Sequence, residues 1–528
     1  MIAVARPMTN GLTTDINDTG VVILLPPDRV RAWVLTLADA LRSTLALPVG
    51  LQRLDDGGAH LHPLPLEGLE CRLLGTEPLT YSNWISTIAF PRAAAKWDAS
   101  LVISALERDP RDLPACIRAA TILVPLFAGC YGLGGLFGSL LDCRSPGLAI
   151  ALATPTGTRL VHAAEVAVPD RELTPRAVAA VLARLILLLR DACRHVLQSK
   201  PLPPLGTAVV DSRPPPVRAP RLQRVVRTYL RKGMRKLSQP FAYPEDWCIA
   251  YRRAAAAADP TGITLDDPEF SIIASGQDEF YADPMLFRYQ GTTALFFEHF
   301  DYQANRARIS FVVLGDDAKC GEPAEALTRP YHLSYPFIFQ DDSGAVLMVP
   351  ETGSNRTVEL YEAVKFPAKW RLRSVLLENI NAADATIYFD AETSLWWMFV
   401  STWEYGNAGW DTLSLFFARE IDGPWQPHVA NPVKFDPRSS RPGGAIVKLG
   451  ARLLRPAQDC SHGYGGRILW CEIKELTPDR FREDVVASLS PARGYTGLHA
   501  YSRAAGFEAV DLKRSRFKGI PGFRHEPR

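Results

Sequence analysis

The segments Asp384-Ala-Thr-Ile-Tyr-Phe389 and Trp396-Trp-Met-Phe-Val-Ser-Thr-Trp403 are two apolar, strand-like runs joined by a short polar turn. The same pattern begins again at Tyr281, Ser334 and Gly443, so its starts recur roughly every fifty to sixty residues. That period is typical of β-propeller blades, each of which is a small antiparallel sheet. The sequence therefore predicts an all-β propeller in the second half of the chain.

A further blade is predicted from the two ends of this region. Residues 247–252 form a lone strand pattern before the first repeat, and residues 498–502 and 509–512 form two more after the last. One blade built from both ends would close the ring and leave no open sheet edge between first and last blades. We therefore expect five blades, with six as the alternative.

Composition indicates an ordinary globular protein. The 528 residues are 47% hydrophobic and 22% charged, and the net charge of +2 argues against binding nucleic acid through bulk electrostatics. The nine cysteines are irregularly spaced and form no CxxC pair, which favours reduced thiols. The N-terminus lacks a signal-peptide pattern. We expect a cytoplasmic protein without a bound metal or cofactor, and the sequence leaves its oligomeric state open.

The first part of the chain has a different pattern. Buried-strand and helix patterns alternate through residues 20–198, which predicts an α/β Rossmann-like domain with a mainly parallel sheet. The uncharged run 119–141 is interpreted as a buried strand followed by a glycine-rich loop, because proline and glycine interrupt it as a membrane helix. Residues 1–19 and 516–528 are predicted to be a disordered segment and a tail.

Residues 199–244 are predicted to link the two domains. The segment begins with a proline-rich stretch, which favours an extended and stiff chain. A basic amphipathic helix follows over residues 213–237. It has two interpretations: peripheral contact with an anionic membrane surface, or a connector whose apolar stripe packs on one domain. The propeller domain itself is assigned to residues 245–515.

Propeller geometry predicts which side chains meet. The innermost strand of a blade starts at the face where the second strand ends, so residues that open and close the repeats should share an axial funnel. The openings supply Asp283, Tyr335 and Asp384; the closings supply Glu298, Glu351, Trp403, Gln458 and Asp459; and Arg441, Arg455 and His499 are expected beside them. Carboxylates, aromatic rings and arginines together suit a sugar ligand, and paired carboxylates are the minimum for glycosidic chemistry. We assign Asp283, Asp384, Glu351 and Glu298 as candidate catalytic residues and the other seven as ligand-binding.

Each of these residues also has a purely structural interpretation. Asp283 stands before a proline and could cap a turn. Glu298 and Glu351 could be solvated strand ends, and Arg455 could be a buried ion-pair partner. Recurrence at equivalent positions of several repeats favours the functional interpretation.

Two resemblances extend this reasoning. Ala282-Asp283-Pro284, followed by Gly291 and an aromatic-rich strand, resembles the first blade of five-bladed glycoside hydrolases such as arabinanases and β-xylosidases. That resemblance implies that Asp283 is a general base and that Asp384 tunes the acid. Those enzymes open the fourth blade with a glutamic acid as proton donor, whereas this chain has Arg441-Pro-Gly-Gly444 there.

A second resemblance covers most of the predicted propeller. It is carried by the following motifs: Tyr335-Pro-Phe, Pro350-Glu351-Thr, Phe366-Pro-Ala-Lys-Trp370, Gly423-Pro-Trp425, Asn431-Pro432 and Arg455-Pro-Ala-Gln-Asp-Cys460. They resemble the N-terminal domain of glucosamine inositolphosphorylceramide transferases and bacterial relatives, which implies a carbohydrate-associated propeller. In the plant proteins a separate C-terminal glycosyltransferase domain follows.

In the bacterial relatives the propeller often follows a formyltransferase-like domain, and residues 20–198 resemble a degenerate version of it. On this basis we expect a bacterial protein. Formyltransferases use an asparagine, a histidine and an aspartate, but no histidine occurs in Ala128-Gly-Cys-Tyr-Gly132, where one would be expected. The domain is therefore not expected to transfer formyl groups.

The sequence supports two functions. In the first, the protein acts on a glycan or glycolipid headgroup, with Asp283 as base and Glu351 or Glu298 as a substitute acid. In the second, it is a noncatalytic carbohydrate-binding or scaffold protein of polysaccharide biosynthesis. The missing fourth-blade glutamate favours binding alone, whereas the retained Asp283 and Asp384 favour catalysis. We expect a glycan-active protein and keep the binder as the alternative.

Overall fold

A computed structural model describes residues 20–54, 84–87, 90–92, 99–106, 108–118, 120–141, 146–168, 174–202, 230, 234, 243, 245–254, 259–265, 270–405 and 409–516. The chain separates into two compact units, residues 1–221 and 222–528. The basic segment 213–237 and both termini lie almost wholly outside the described residues.

The first unit is built around a seven-stranded sheet. Its strands are β1 (Val21–Leu25), β3 (Val49–Arg53), β5 (Leu101–Ser104), β6 (Ile122–Phe127), β7 (Cys130–Tyr131), β8 (Gly147–Thr154) and β9 (Gly157–Glu165). The order is β3-β1-β5-β6-β8-β9, with β7 paired to β6. β1 and β5 are buried along their whole length, as strands covered on both faces must be. A separate ribbon pairs β2 (Arg29–Arg31) with β4 (Trp84–Ser86).

The sheet is mixed rather than mainly parallel. Strands β3, β1, β5 and β6 run parallel, whereas β8 and β9 run antiparallel to their neighbours. The accompanying α-helices are α1 (Trp33–Leu45), α2 (Ala115–Arg118), α3 (Leu133–Leu141) and α4 (Thr174–Gln198).

The glycine-rich stretch after β6 forms helix α3, so its prediction as a loop is wrong. Gly135 explains this, because a Cβ there would lie 2.0 Å from the Phe127 carbonyl oxygen, and only glycine lets α3 approach β6 so closely. Among the described residues, no helix is both long enough and apolar enough to cross a membrane.

The second unit is a ring of five antiparallel blades. The first contains β12 (Glu279–Tyr289), β13 (Thr292–Asp301), β14 (Arg306–Leu314) and β15 (Ala324–Leu327); the second contains β16 (Ser334–Gln340), β17 (Val346–Thr352), β18 (Thr357–Lys365) and β19 (Lys369–Glu378). The third contains β20 (Ala382–Asp390), β21 (Leu395–Thr402), β22 (Thr412–Ala418), β23 (Gln426–Pro427) and β24 (Lys434–Phe435); the fourth contains β25 (Val447–Leu449), β26 (Arg452–Gln458), β27 (Ile468–Leu476) and β28 (Phe481–Leu489).

The fifth blade joins the two ends of the propeller. Strands β10 (Trp247–Arg253) and β11 (Ser271–Ile273) come from its N-terminal end, and β29 (Tyr501–Ala504) and β30 (Phe507–Lys513) from its C-terminal end. β10 pairs with β30 along its whole length, from Trp247 opposite Lys513 to Arg253 opposite Phe507. The five-bladed propeller is confirmed, with the closure expected from the sequence.

The same irregularity opens the first three blades. The pairing of β12, β16 and β20 with their neighbours shifts register at the opening residue, which indicates a β-bulge. Asp283, Tyr335 and Asp384 occupy the bulges with φ values of 53°, 42° and 57°. A bulge re-aims the side chain that it contains. It therefore explains how three residues of unlike chemistry project from equivalent positions of successive blades.

Candidate functional site

Asp384 lies at the centre of the first of two buried charge clusters. Its Oδ2 accepts hydrogen bonds of 2.6 Å from Arg441 Nε and 2.6 Å from Gln458 Nε2, and its Oδ1 accepts one of 3.2 Å from Arg441 Nη2. Arg441 Nη2 also lies 3.6 Å from Glu351 Oε2. The Arg441 guanidinium thus bridges carboxyl groups from the second and third blades.

Glu351 differs chemically from its neighbour. Burial, and then the negative charge of Asp384, raises the pKa of Glu351 to about 8, although Arg441 acts in the opposite direction. Its side chain keeps 16% exposure, compared with 2% for Asp384. A carboxyl group that stays protonated at neutral pH and remains accessible has the properties of a general acid.

The second cluster is a row of alternating charges. His499 Nε2 lies 3.0 Å from Asp283 Oδ1, and His499 Nδ1 lies 2.9 Å from Asp511 Oδ2. Burial lowers the pKa of His499, but the carboxylates of Asp511 and Asp283 outweigh that effect and raise it well above its ordinary value. These three side chains also have the spacing of a cation site, within 4.8 Å of one another. Because each imidazole nitrogen faces a carboxylate, the imidazolium itself supplies the positive charge.

Backbone hydrogen bonds fix this second cluster. Asp283 Oδ2 accepts from the Tyr335 amide at 3.1 Å, which ties the first blade to the second. Asp511 accepts from the backbone amides of Asp283, His499 and Ala500 at 2.8–3.0 Å. Asp283 is consequently engaged on both carboxylate oxygens and buried. The contacts of Asp283 are therefore those of a structural anion rather than those of an unpaired base.

A third acid–histidine pair closes the first blade. Glu298 Oε1 lies 3.3 Å from His332 Nε2, and the His332 Nδ1 accepts a hydrogen bond of 3.2 Å from the Ala307 amide. Burial raises the pKa of Glu298. His332 retains 31% side-chain exposure. It was not among the predicted residues, because it precedes the repeat pattern and belongs to no motif.

Tyr335 and Gln458 lie beneath the surface of the funnel. The Tyr335 hydroxyl is 2.8 Å from Thr386 Oγ1, and the residue is 1% exposed. Gln458 Nε2 donates to Asp384 and, at 2.7 Å, to the Pro442 carbonyl oxygen. Both partners are acceptors, so the amide orientation is determined, and Gln458 Oε1 has no hydrogen-bond partner among the described residues.

Two predicted residues are committed to other contacts. Arg455 is fully buried and makes an ion pair with Glu483 at 2.5 Å, while also donating to the Ser439 and Ser440 carbonyl oxygens. Asp459 accepts from the Ser461 amide and lies 2.8 Å from Arg467 Nε, which holds together the base of the loop 459–467. The contacts described here for Arg455 and Asp459 are therefore structural: a buried ion pair for Arg455, and contacts within its own loop for Asp459.

Aromatic side chains form the accessible layer above these clusters. Trp403 is half-buried at the end of β21, as is Trp410 in the loop that follows. The Tyr464 ring centroid lies 5.4 Å from that of Trp410 and 5.0 Å from that of His499, and the Arg441 guanidinium lies 5.1 Å from it. Tyr464 therefore contacts both charge clusters. Neither Trp410 nor Tyr464 was predicted, because both follow the closing residue by several positions.

The fourth blade opens without an acid for steric reasons. The bridge between Pro442 and Ala457 corresponds to the pair Ala282–Glu298 of the first blade, so Gly443 takes the place of Asp283. A Cβ on Gly443 would lie 2.7 Å from Ile468 Cδ1. On Gly444, whose φ is +143°, it would lie 2.1 Å from the Tyr501 carbonyl oxygen. Backbone atoms and the positive φ exclude a side chain at Gly444, whereas at Gly443 a side chain would require the Ile468 side chain to move.

We therefore expect Gly444→Ala to lower the free energy of unfolding by roughly 2–4 kcal/mol, through strain and overpacking together. Gly450→Ala is the matched control, because Gly450 has a φ of +60° in the same blade but open space around it. That control should lose only about 1 kcal/mol. Urea titration of both variants measures the difference, and equal losses would contradict the steric explanation.

The first unit also contains a small cavity of about 40 Å³. It lies beyond the carboxyl ends of β1, β5 and β6, where α/β sheets usually bind ligands. Arg29, Arg31, Trp33, Phe127 and Gly132 contribute to its lining. Formyl transfer by this unit remains unexpected, as the sequence predicts.

Sequence comparison relates the second unit to a family of known proteins. Residues 254–516 match the family described as "Glucosamine inositolphosphorylceramide transferase 1, N-terminal". The propeller resembles that N-terminal domain. The glucosamine inositolphosphorylceramide transferase 1 of Oryza sativa subsp. japonica is 32% identical over 227 residues, and that of Arabidopsis thaliana is 31% identical over 246 residues. These matches cover 42% and 46% of this chain but only 30% and 32% of the plant proteins.

Solved structures with similarity to the chain include glycoside-acting propellers. A β-xylosidase, RS223, is 10% identical with a TM-score of 0.32, covering 46% of this chain and 95% of its own. The α-L-arabinanase of Cellvibrio cellulosa is 13% identical with a TM-score of 0.31, covering 45% and 87%. The proteins that this propeller resembles in sequence are transferases of an amino sugar, so the resemblance is to carbohydrate-related proteins.

Two expectations from the sequence are corrected by these comparisons. The expectation of a bacterial protein is wrong, because the curated relatives at this similarity come from rice and Arabidopsis. The cytoplasmic assignment is contradicted as well, because those relatives are named for a transfer that involves inositolphosphorylceramide, a lipid.

Proposed function

We propose that the propeller binds the sugar of a glycan or glycolipid headgroup in its axial funnel and donates a proton to it from Glu351. The observation that carries this proposal is the contrast between two adjacent carboxyl groups. Asp384 is clamped by Arg441 and Gln458, while Glu351 keeps its proton and some access to solvent. An accessible carboxyl group that keeps its proton at neutral pH is suited to act as the general acid on a glycosidic bond.

In this proposal Glu351 replaces the glutamic acid that the opening of the fourth blade lacks. As the glycosidic C–O bond breaks, a water or acceptor hydroxyl would bond to the anomeric carbon and release its proton to solvent, while the leaving oxygen takes the proton of Glu351. The negative charge left on Glu351 can be stabilised by Arg441 Nη2 at 3.6 Å. Asp384 would then serve as the positioning residue that holds Arg441 in place. The resemblance to transferases named for a glucosamine lipid supports a sugar ligand of this kind.

A second function, binding without catalysis, is favoured by one observation. Asp283 stands at the position of the general base in the hydrolases that this blade resembles, but its Oδ1 lies 3.0 Å from His499 Nε2 and its Oδ2 accepts from the Tyr335 amide. A buried carboxylate held on both sides in this way has the contacts of a structural anion. A scaffold or binding protein of glycan biosynthesis would use the same funnel without turnover.

The two functions are distinguished by Glu351→Gln in the full-length chain. If Glu351 is the acid, turnover of a panel of 4-nitrophenyl and oligosaccharide glycosides should fall by more than about a hundredfold. Binding of the same glycan by calorimetry should stay within about tenfold, since the amide keeps size and hydrogen bonding. Wild-type turnover should decline as the pH rises through about 8, where Glu351 loses its proton.

Glu298→Gln is the matched control, because it removes a buried carboxyl from a neighbouring blade without touching the Arg441 cluster. Glycan binding with no turnover by the wild type would establish the second function. Turnover that survives in Glu351→Gln but not in Glu298→Gln would move the acid to the first blade.

A further inference from the structure

Trp410 and Tyr464 form an aromatic wall at the mouth of the funnel. They come from the loops that join the second and third strands of the third and fourth blades, and their rings are 5.4 Å apart at an angle of 31°. Both residues are half-buried, so each keeps part of its ring accessible. Rings from two neighbouring blades thus create one continuous apolar surface beside polar groups.

The wall is held rigidly. The ion pair of Asp459 and Arg467 fastens the base of the loop that carries Tyr464, and two hydrogen bonds between the Asp459 and Arg467 or Gly466 backbones reinforce it. Behind Trp410, the neighbouring Gly409 packs on Trp403 so tightly that a Cβ would lie 2.6 Å from the indole ring. Preformed aromatic surfaces of this kind lose little conformational entropy when a ligand stacks on them.

The two cationic side chains that border Tyr464, Arg441 and His499, are paired with carboxyl groups. Arg441 is paired with Asp384, His499 lies between Asp283 and Asp511, and His332 faces Glu298. His332 accepts a hydrogen bond at Nδ1 and Glu351 keeps its proton, so the remaining groups among these described residues are two cationic side chains, Arg441 and His499, facing Asp384, Asp283 and Asp511. An anionic ligand would find its potential counter-ions already committed, and it would approach a site with excess acid.

We propose that the wall of Trp410 and Tyr464 stacks on the apolar face of a terminal pyranose that is uncharged or carries an amino group, and that the funnel excludes sugar acids. The inference rests on the proposed function, because it places the sugar in the same funnel. The C–H face of the ring would lie on the aromatic side chains. Its hydroxyl edge would then point to Arg441, which borders Tyr464, and to Glu351, which lies 3.6 Å from Arg441.

The test uses the full-length chain and matched oligosaccharide probes with one terminal sugar in three forms: the neutral sugar, the uronic acid, which differs from it only at C6, and the amino sugar, which differs from it only at C2. A panel of immobilised glycans first identifies which sugar configuration the protein binds. Calorimetry then measures the affinity for the neutral, acidic and amino forms of that sugar. We expect the neutral or amino form to bind at least about tenfold more tightly than the uronic acid. Trp410→Ala and Tyr464→Ala should each weaken binding by about tenfold, whereas Tyr464→Phe, which keeps the ring, should stay within about twofold.

The outcomes separate the two proposals. Unchanged glycan binding in both alanine variants would contradict stacking of the sugar on Trp410 and Tyr464, while the proposed sugar site in the funnel would stand. Equal or tighter binding of the uronic acid would overturn the charge argument. If the wild type binds none of the probes, the proposed function fails and the wall fails with it. Circular dichroism of each variant checks that the fold is retained, so that a loss of binding cannot be attributed to unfolding.

Discussion

Replacing Arg441 with methionine is expected to lower the free energy of unfolding of the propeller by about 3–5 kcal/mol, which is the cost of breaking a buried ion pair. The substitution leaves Asp384 charged at 2% side-chain exposure, with only the Gln458 amide as a side-chain donor among the described residues. It also removes the cation beside Glu351. Urea denaturation of the full-length chain measures the effect by fluorescence, since eight of the eleven tryptophans lie between residues 247 and 470.

Two variants test the cause of this loss. Arg438→Met removes an exposed arginine three residues away, whose side chain is 50% exposed beside Asp436, and it should cost less than about 1 kcal/mol. Adding Asp384→Asn to Arg441→Met should recover part of the stability, because the uncompensated charge is then gone. No recovery in that double variant would show that Arg441 stabilises the ring by packing and not by its charge.

The second large effect is expected at Glu483, the partner of Arg455. Burial would raise the pKa of Glu483, but the charges of Arg455 and then Lys434 outweigh it and lower the pKa to about 2. The pKa is depressed in the folded state, so the stabilisation is present above the unfolded value of about 4.5 and is lost as the pH falls towards 2. We therefore expect Glu483→Gln to cost about 3–5 kcal/mol at pH 7, and the difference from wild type to shrink through that window.

The neighbouring residue provides the control for this prediction. Asp484 lies 3.4 Å from Arg482, but both side chains are more than half exposed. Asp484→Asn should therefore change stability by less than about 0.5 kcal/mol, with little dependence on pH. A gap between Glu483→Gln and wild type that stays constant from pH 7 to pH 2 would mean that the carboxylate does not titrate as its partners require.

The propeller could be predicted from local pattern because each blade repeats one period. Apolar runs such as Val346 to Val349 alternate with turn residues at fixed spacing, and strand pairing follows from that spacing alone. Blade closure was also predictable, since an unpaired strand at each end of the region can satisfy its backbone only by pairing with the other. The mixed sheet of the first unit was not, because β8 carries the same buried apolar pattern in either direction.

For the candidate site, the positions of the residues in their blades could be predicted from the sequence, but not all of the contacts that these residues make. The openings at Asp283, Tyr335 and Asp384 do occupy equivalent bulges. Arg441, Gln458 and His499 were expected beside them and do contact Asp384 or Asp283. Asp511 and His332 were not predicted, because neither opens or closes a repeat: they lie in the closing blade and in an interblade segment. Arg455 belongs to the most specific motif, yet the structure places it in a buried ion pair with Glu483.

The sequence by itself determined the order of the repeated blades and the residues that open the first three, and it favoured five blades over six, because these depend on a period that recurs along the chain. Only the tertiary structure decided which carboxyl group is clamped and which keeps its proton. That difference arises from burial and from charges contributed by other blades: Arg441 neutralises Asp384, while Asp384 raises the pKa of Glu351. Such interactions depend on distance in space, which the spacing of residues along the chain does not specify.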